Sequence, residues 1–316
     1  MKFLIFGDAH LKEHAANRVD NIWETQSKKL KEVISLAQQH NVDAIIQTGD
    51  LFNSARSSIG LISNVANMLN TIDIPFLTVI GQHDMDMRRN ENSPTKLLSL
   101  FGLCTILSET PFEVGDVVLW GNSVGSNFSQ DDVVKNSSHY STERKHILVV
   151  HEMIHPEELY PGDVTFTKPR TALNKYKFFD LIICGDYHGK FCQMGEPNFP
   201  YVGKRIILNP GAMTRQTRND AKDIPSVCIW DSKNQSVVTW IELTAEDDPF
   251  KTLAVKNDVT ADTLERIMTS IRNSKSSGIS FVDVLQIAFD KEKVSARIRE
   301  LIFGIFEGIK EEGKVQ

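Results

Sequence analysis

The sequence predicts an α/β protein: a two-layer β-sandwich flanked by helices, with a small C-terminal α+β appendage. Three observations predict it. Short apolar runs alternate with stretches of helical periodicity through the first half. The second half is richer in strand-like runs, and "TAEDDPF" (244–250) marks a polar, acidic boundary before the appendage. Strand–helix–strand alternation implies parallel strands joined by right-handed crossovers.

"KFLIF" (2–6) reads as a buried strand, and Leu30, Val33, Ile34 and Ala37 then recur at helical spacing. "DAIIQTG" (43–49) is a second strand, followed by a helical set at Ile62, Val65, Ala66 and Leu69. "PFLTVIG" (75–81) is a third, with Pro75 at its first position, where a missing N–H is tolerated. "TKLLSLFG" reads as a short helix stopped by Gly102. "FEVGDVVLWG" (112–121) has a Gly-Asp turn between apolar arms, a hairpin pattern. "HILVVHE" (146–152), "FFDLIICGD" (178–186) and "KRIILNPGA" (204–212) are buried strands. "SVCIWDSKNQSVVTWIEL" (226–243) closes the core as a second hairpin. The expected division is a core over 1–243 and an appendage over 250–316. The appendage ends in a helix with Val294, Ile298, Leu301, Ile302 and Ile305 on one face, serving its own core or a partner.

Among 316 residues, 41% hydrophobic and 24% charged are ordinary for a globular protein, and the net charge of −6 argues against a simple non-specific DNA binder. Cys104, Cys184, Cys192 and Cys228 form no C-x-x-C pair, so reduced thiols are expected. The apolar run before Asp8 is too short for a signal peptide, and no run reaches the ~20 residues of a membrane span. A cytoplasmic protein with no membrane partner is the expectation.

The chemistry sits at strand ends. They read "GDAH" (Asp8, His10), "GDLFN" (Asp50), "GQHD" (Gln82, His83, Asp84), "HE" (His151) and "GDYH" (Asp186, His188). Each alone is ordinary turn chemistry. In α/β sheets, however, residues just past the carboxyl ends of the strands meet in one crevice. A series of metal-type ligands in that position points to a shared site.

This ordered set resembles the calcineurin-like binuclear metallophosphoesterases over roughly residues 1–243. The "GDLF" at 49–52 and "NPGAMTR" at 209–215 are most similar to SbcD-type nuclease subunits of bacteria and phages. The resemblance implies two metal sites, one held by Asp8, His10, Asp50 and His188. The other is held by Asp50, Gln82, His151 and Asp186, with Asp50 bridging. It makes His83 the proton donor to the leaving group, oriented by Asp84 through its other ring nitrogen. Two cations about 3.5–4 Å apart can clamp a phosphodiester and activate water.

Two departures bear on the second site. Gln82 stands where the family has Asn, and Asp186 where it has His. Gln82 keeps the amide oxygen on a side chain one methylene longer, and Asp186 puts a carboxylate oxygen in place of an imidazole nitrogen. The site becomes oxygen-rich and favours Mn2+, with Mg2+ as the alternative, over zinc. Asp8, Asp50 and Asp186 then set three negative charges against four positive. Asn53 replaces a His common after "GDLF" and is expected only to contact substrate, as is Arg215.

"HEMIH" (151–155) matches the zinc-protease pattern H-E-x-x-H. That motif needs a helix, whereas "ILVV" before it is a strand and Pro156 disfavours helical backbone at His155. His14, His40, His139, His146 and His155 are expected at surface or structural positions. The pairs Arg88/Arg89, Lys204/Arg205 and Arg215/Arg218 could line a DNA groove or be solvated surface.

The resemblance implies a Mn2+-dependent DNA nuclease acting with an SbcC-type SMC-like ATPase in recombination or repair, with a homodimer as a further partner. A phosphodiesterase or phosphatase acting on small nucleotides or phosphoproteins is the alternative of the same fold. A non-catalytic scaffold with a decayed second site is the alternative of another class.

Overall fold

A computed structural model of the chain describes residues 1–86, 93–126, 128–129, 141, 143–157, 166–195, 205–217, 220, 223–234 and 237–250. The chain divides into two units, Met1–Lys251 and Thr252–Gln316. The expected α+β appendage and its final helix therefore lie outside the described residues, and all the described elements belong to the first unit.

Two six-stranded sheets form the core. In the first, β1 (Lys2–Phe6), β2 (Ala44–Gln47), β3 (Phe76–Thr78) and β4 (Thr105–Ile106) run parallel. The second contains β5 (Phe112–Val114), β6 (Val117–Asn122), β7 (Lys145–Val150), β8 (Leu181–Cys184), β9 (Phe191–Gly195) and β10 (Arg205–Asn209). Its strands are ordered β5-β6-β7-β8-β10-β9, with β6, β7, β8 and β10 parallel and the two outer strands antiparallel. The hairpin β11 (Ser226–Asp231) and β12 (Val238–Glu242) completes the first sheet, β11 pairing antiparallel with β1.

Strand alternation divides the apolar residues among three layers. Phe3, Ile5, Ile46 and Leu77 of one sheet pack against Leu119, Ile147, Ile183 and Leu208 of the other. Leu4, Phe6 and Ile45 point the opposite way, onto Leu30, Val33, Ala37, Leu61 and Val65. On the far face of the second sheet, Val118, Leu148, Ile182 and Ile207 meet Ala172, Leu173 and Tyr176. Both faces of each sheet are thus covered, which is why the strands read as continuous apolar runs. Each fully buried aliphatic or aromatic side chain here contributes roughly 1.5–3 kcal/mol.

The helices begin where side chains can cap them. Asn21 accepts from the Glu24 N–H and donates to its carboxylate, so helix α1 (Ile22–Gln39) opens on a reciprocal box. Ser58 and Ser93 accept from Leu61 and Lys96 to start α2 (Ile59–Leu69) and α3 (Pro94–Leu100), the latter with proline at its first position. Helix α4 (Pro169–Lys175) also begins on proline. Two strands were not foreseen. β4 has two residues, and β9 is an edge strand whose alternating burial leaves Cys192 and Met194 exposed, so neither makes an apolar run.

Candidate metal centre

The carboxyl ends of β1, β2, β3, β7 and β8 carry the predicted ligands, and the structure brings those of both sheets together. The turns are stitched by backbone bonds: His10 N–H donates to the Asp50 carbonyl at 2.9 Å, and Leu11 pairs with Phe52. Among the described residues four non-glycine positions have positive φ, and three are predicted ligands: His10 (45°), Asp50 (52°) and Asp186 (72°). Such backbone costs of order 1–3 kcal/mol per residue and persists where surrounding structure over-determines it, as at functional sites. Gly49, at φ 100°, and Gly81 make the crowding possible. A Cβ on Gly49 would stand 2.4 Å from His151 Nδ1, and one on Gly81 2.1 Å from Asp50 Oδ1.

The side chains expected at the first cation lie close together. His10 Nε2 and His188 Nε2 are 3.1 Å apart, and Asp8 Oδ2 lies 4.0 and 3.9 Å from them. Asp50 Oδ2 is 3.8 Å from His10 Nε2. Neighbouring ligands each about 2.1 Å from a common ion stand roughly 3.0–3.5 Å apart, so a small contraction around a cation would close this set.

Asp50 also faces the second half. Its Oδ2 is 3.3 Å from His151 Nε2, while its Oδ1 accepts the His83 N–H at 2.8 Å. His151 Nδ1 lies 2.8 Å from the Thr48 carbonyl, a contact that requires the Nδ1 proton and turns Nε2 towards Asp50. Gln82 Nε2 donates to Asp186 Oδ1 at 2.5 Å. The two departures from the family pattern thus bind each other.

Asp84 behaves differently from expectation. It is fully buried, and its carboxylate accepts from the backbone of Phe52, Leu51 and Gly81 and from the Thr95 hydroxyl. The expected bond to the His83 ring is not among these. Asp84 pins the β2 and β3 turns together, and His83 is placed through its backbone bond to Asp50. The His83 ring instead packs edge-on against His10, with centroids 4.8 Å apart. Burial first, then the Asp50 charge, push the Asp84 carboxyl up to about 6.

Asn53 Oδ1 accepts from Lys12 Nζ at 3.0 Å, and Asn53 lines a cleft with Gln82 and His83. Arg215 lines a different cavity beside His188, and its guanidinium donates to the carbonyls of Glu246 and Asp247, so it braces the 244–250 segment. Arg205 is buried and donates to the Leu173 carbonyl, which removes it from the groove reading. Arg88, Arg89, Lys204, Arg218 and His139 lie outside the described residues. The "HEMIH" segment is not helical; Ile154 bridges Thr167, and His155 stacks between Phe166 and Tyr187. His146 accepts from Trp120 in the interior, His14 is exposed and His40 half-buried.

Two positions escaped the sequence reading. Thr48 donates its hydroxyl to Asp8 Oδ1 at 3.0 Å in addition to holding His151. Gln26, buried on α1, donates to the carbonyls of Ala9 and His10. A glutamine on the apolar face of a helix was the available signal.

The residues fit a pair of cations. His10 Nδ1, Asp50 Oδ2 and His151 Nε2 are buried without a hydrogen-bond partner. Among the described residues three groups, Asp8/His10/His188, His10/Asp50/His83 and Asp8/Asp50/His151, have converging ligand atoms. Burial, with the charges of Asp50 and Asp186, raises Asp8 well above the usual carboxylate range. Burial alone would lower His151, but Asp50, Asp8 and Asp186 outweigh it and raise the imidazole well above its ordinary value. A buried acidic cluster that draws protons is one that positive charge would relieve.

Comparison with known proteins agrees. DNA double-strand break repair protein Mre11 of Sulfolobus acidocaldarius is 30% identical over 172 residues, 51% of this chain and 44% of that protein. The Sulfurisphaera tokodaii protein of the same name is 28% identical over 51% of this chain and 43% of that one. The chain therefore spans less than half the length of these curated relatives. A dimetal phosphatase from Danio rerio aligns over 79% of this chain and 99% of its own, at 11% identity and a TM-score of 0.49, which adds nothing to the assignment. The family model for calcineurin-like phosphoesterases matches residues 1–190, and the chain belongs to that family.

Proposed function

We propose that the chain is a DNA phosphodiesterase of the Mre11/SbcD type, dependent on Mn2+ with Mg2+ as the alternative, acting as exonuclease or endonuclease. The carrying observation is the convergence of Asp8, His10 and His188 with Asp50, which faces His10 on one side and His151 on the other. Asp8, His10, Asp50 and His188 would hold one cation, and Asp50, Gln82, His151 and Asp186 would hold the second. When bound, the two cations would supply Lewis-acid activation of the phosphodiester and of water. His83 gives a proton to the leaving oxygen, held at the centre by its backbone bond to Asp50. Thr48 fixes the His151 tautomer, and Asp84 the turn that carries Gln82 and His83.

The relatives are named for DNA double-strand break repair, which supports DNA as substrate; an SbcC-type ATPase as partner, a cytoplasmic location and residues 250–316 as the partner-binding region complete the proposal. No helix among the described residues is long and apolar enough to cross a membrane. Leu100 and Phe101, 82% and 68% exposed at the end of α3, offer an apolar surface for a homodimer. The decisive test incubates the protein with linear duplex DNA and with bis(p-nitrophenyl) phosphate, with Mn2+ and with EDTA. Hydrolysis of both, abolished by EDTA, is expected. Inertness toward both in Mn2+ would refute the function, and hydrolysis of the small diester alone would refute DNA as substrate.

A further inference from the structure

Of the proposed metal ligands, Gln82 alone is among the described residues that line the cleft beside His83. The cleft has a volume of about 350 Å³ and is lined by Asn53, Arg56, Gln82, His83 and Asp86, among others. It is an open depression, of a size that can seat one nucleotide. No aromatic ring besides the His83 imidazole is among its described lining residues. Its guanidinium and amide donors suit a phosphate.

Its polar wall is ordered in advance. Gln26, which holds the His10 carbonyl, also accepts the Lys12 N–H at 3.0 Å. The Lys12 ammonium then donates to Asn53 Oδ1, also at 3.0 Å. With its oxygen so engaged, the Asn53 amide retains two N–H donors. The Arg56 side chain is 79% exposed and gives one Nη2 contact, at 3.3 Å, to Asp86, the one acid among the described lining residues. Its other guanidinium donors remain for a ligand, in the fork geometry that suits phosphate.

We propose that this cleft is the subsite for the leaving-side nucleotide of a single-stranded polynucleotide, where Arg56 and the Lys12–Asn53 pair hold the phosphate next to the scissile one. The inference rests on the phosphodiesterase reading above, since His83, the proton donor, forms part of the wall. The bond that breaks then faces this cleft.

The test uses the full chain and two probes. A fluorescein-labelled single-stranded hexanucleotide is bound in EDTA and followed by anisotropy at several salt concentrations. Hydrolysis of a trinucleotide, with two phosphates, is compared with that of bis(p-nitrophenyl) phosphate, with one. Arg56→Ala is expected to weaken hexanucleotide binding about tenfold and to flatten its log–log salt slope by about 0.7, one phosphate contact on a single strand. Its kcat/KM should fall about tenfold further on the trinucleotide than on the small diester, through KM, and Arg56→Lys should recover part of that difference. Lys12→Ala should act in the same direction. Equal losses on both substrates, or an unchanged salt slope, would overturn the subsite while leaving the phosphodiesterase standing. A wild type inert on both substrates in Mn2+ would overturn the function and the subsite with it.

Discussion

The two halves of the metal centre are built to different tolerances. In the first, short side chains from β1, β2 and β8 bring two imidazole nitrogens within 3.1 Å, with carboxylate oxygens at 3.8–4.0 Å. His10 and Asp50 both have positive φ, and the His10 N–H donates to the Asp50 carbonyl across the two turns. In the second, His151 is held through Thr48, but Gln82 and Asp186 satisfy each other at 2.5 Å. A cation entering there must first part a charge-assisted hydrogen bond, worth about 1.5–3 kcal/mol, and order a longer amide side chain. Rigid ligands therefore predict a tight first cation, and self-paired ligands a weaker second one.

Asp50 should erase the distinction, because it faces both halves. Asp50→Asn is expected to lose at least ~10³-fold in phosphodiester hydrolysis and to reduce cation stoichiometry, read by calorimetric titration with Mn2+. Retention of two tight cations would break the bridging assignment. His83→Ala should separate chemistry from both halves. Turnover should fall ~10²–10⁴-fold with cation binding kept, and a lost cation would make His83 a ligand. That outcome has a structural basis, since its ring atoms converge with those of His10 and Asp50.

The contrast itself is sharpened at Gln82. Gln82→Ala should abolish activity and the weak cation while sparing the tight one, and Gln82→Asn should tighten the weak cation several-fold if the turn follows the shorter side chain. Two equally tight sites in the wild type, indifferent to Gln82→Ala, would make Gln82 a spectator. The smallest effect on chemistry is expected at Asp84. Asp84→Ala leaves three backbone N–H groups and a hydroxyl without their acceptor, and should cost about 2–4 kcal/mol in denaturant unfolding. An unchanged midpoint would show that water replaces the carboxylate.

The fold was legible where apolar runs were long enough to be buried on both faces, as in "KFLIF" and "LIIC". It was not legible at β4 and β9, which lie at sheet edges with little apolar surface. The ligand set was legible because each member follows a strand, and strand ends of a parallel sheet share one side. The partners of those ligands were not. Gln26 reaches the site from a helix, Thr48 works partly through its carbonyl, and Asp84 bonds to main-chain groups that any residue carries.

What the sequence determined alone was therefore periodic or local: strand and helix order, the parallel crossovers, and the residue types at each strand end. Tertiary structure decided who pairs with whom. It turned Asp84 from the His83 ring to the backbone, committed Arg215 to the 244–250 segment, and set Gln82 against Asp186. The physical reason is that a side chain's donors and acceptors are known from its identity, but their partners depend on distances between segments about 30–200 residues apart. Those distances exist only once the two sheets have packed.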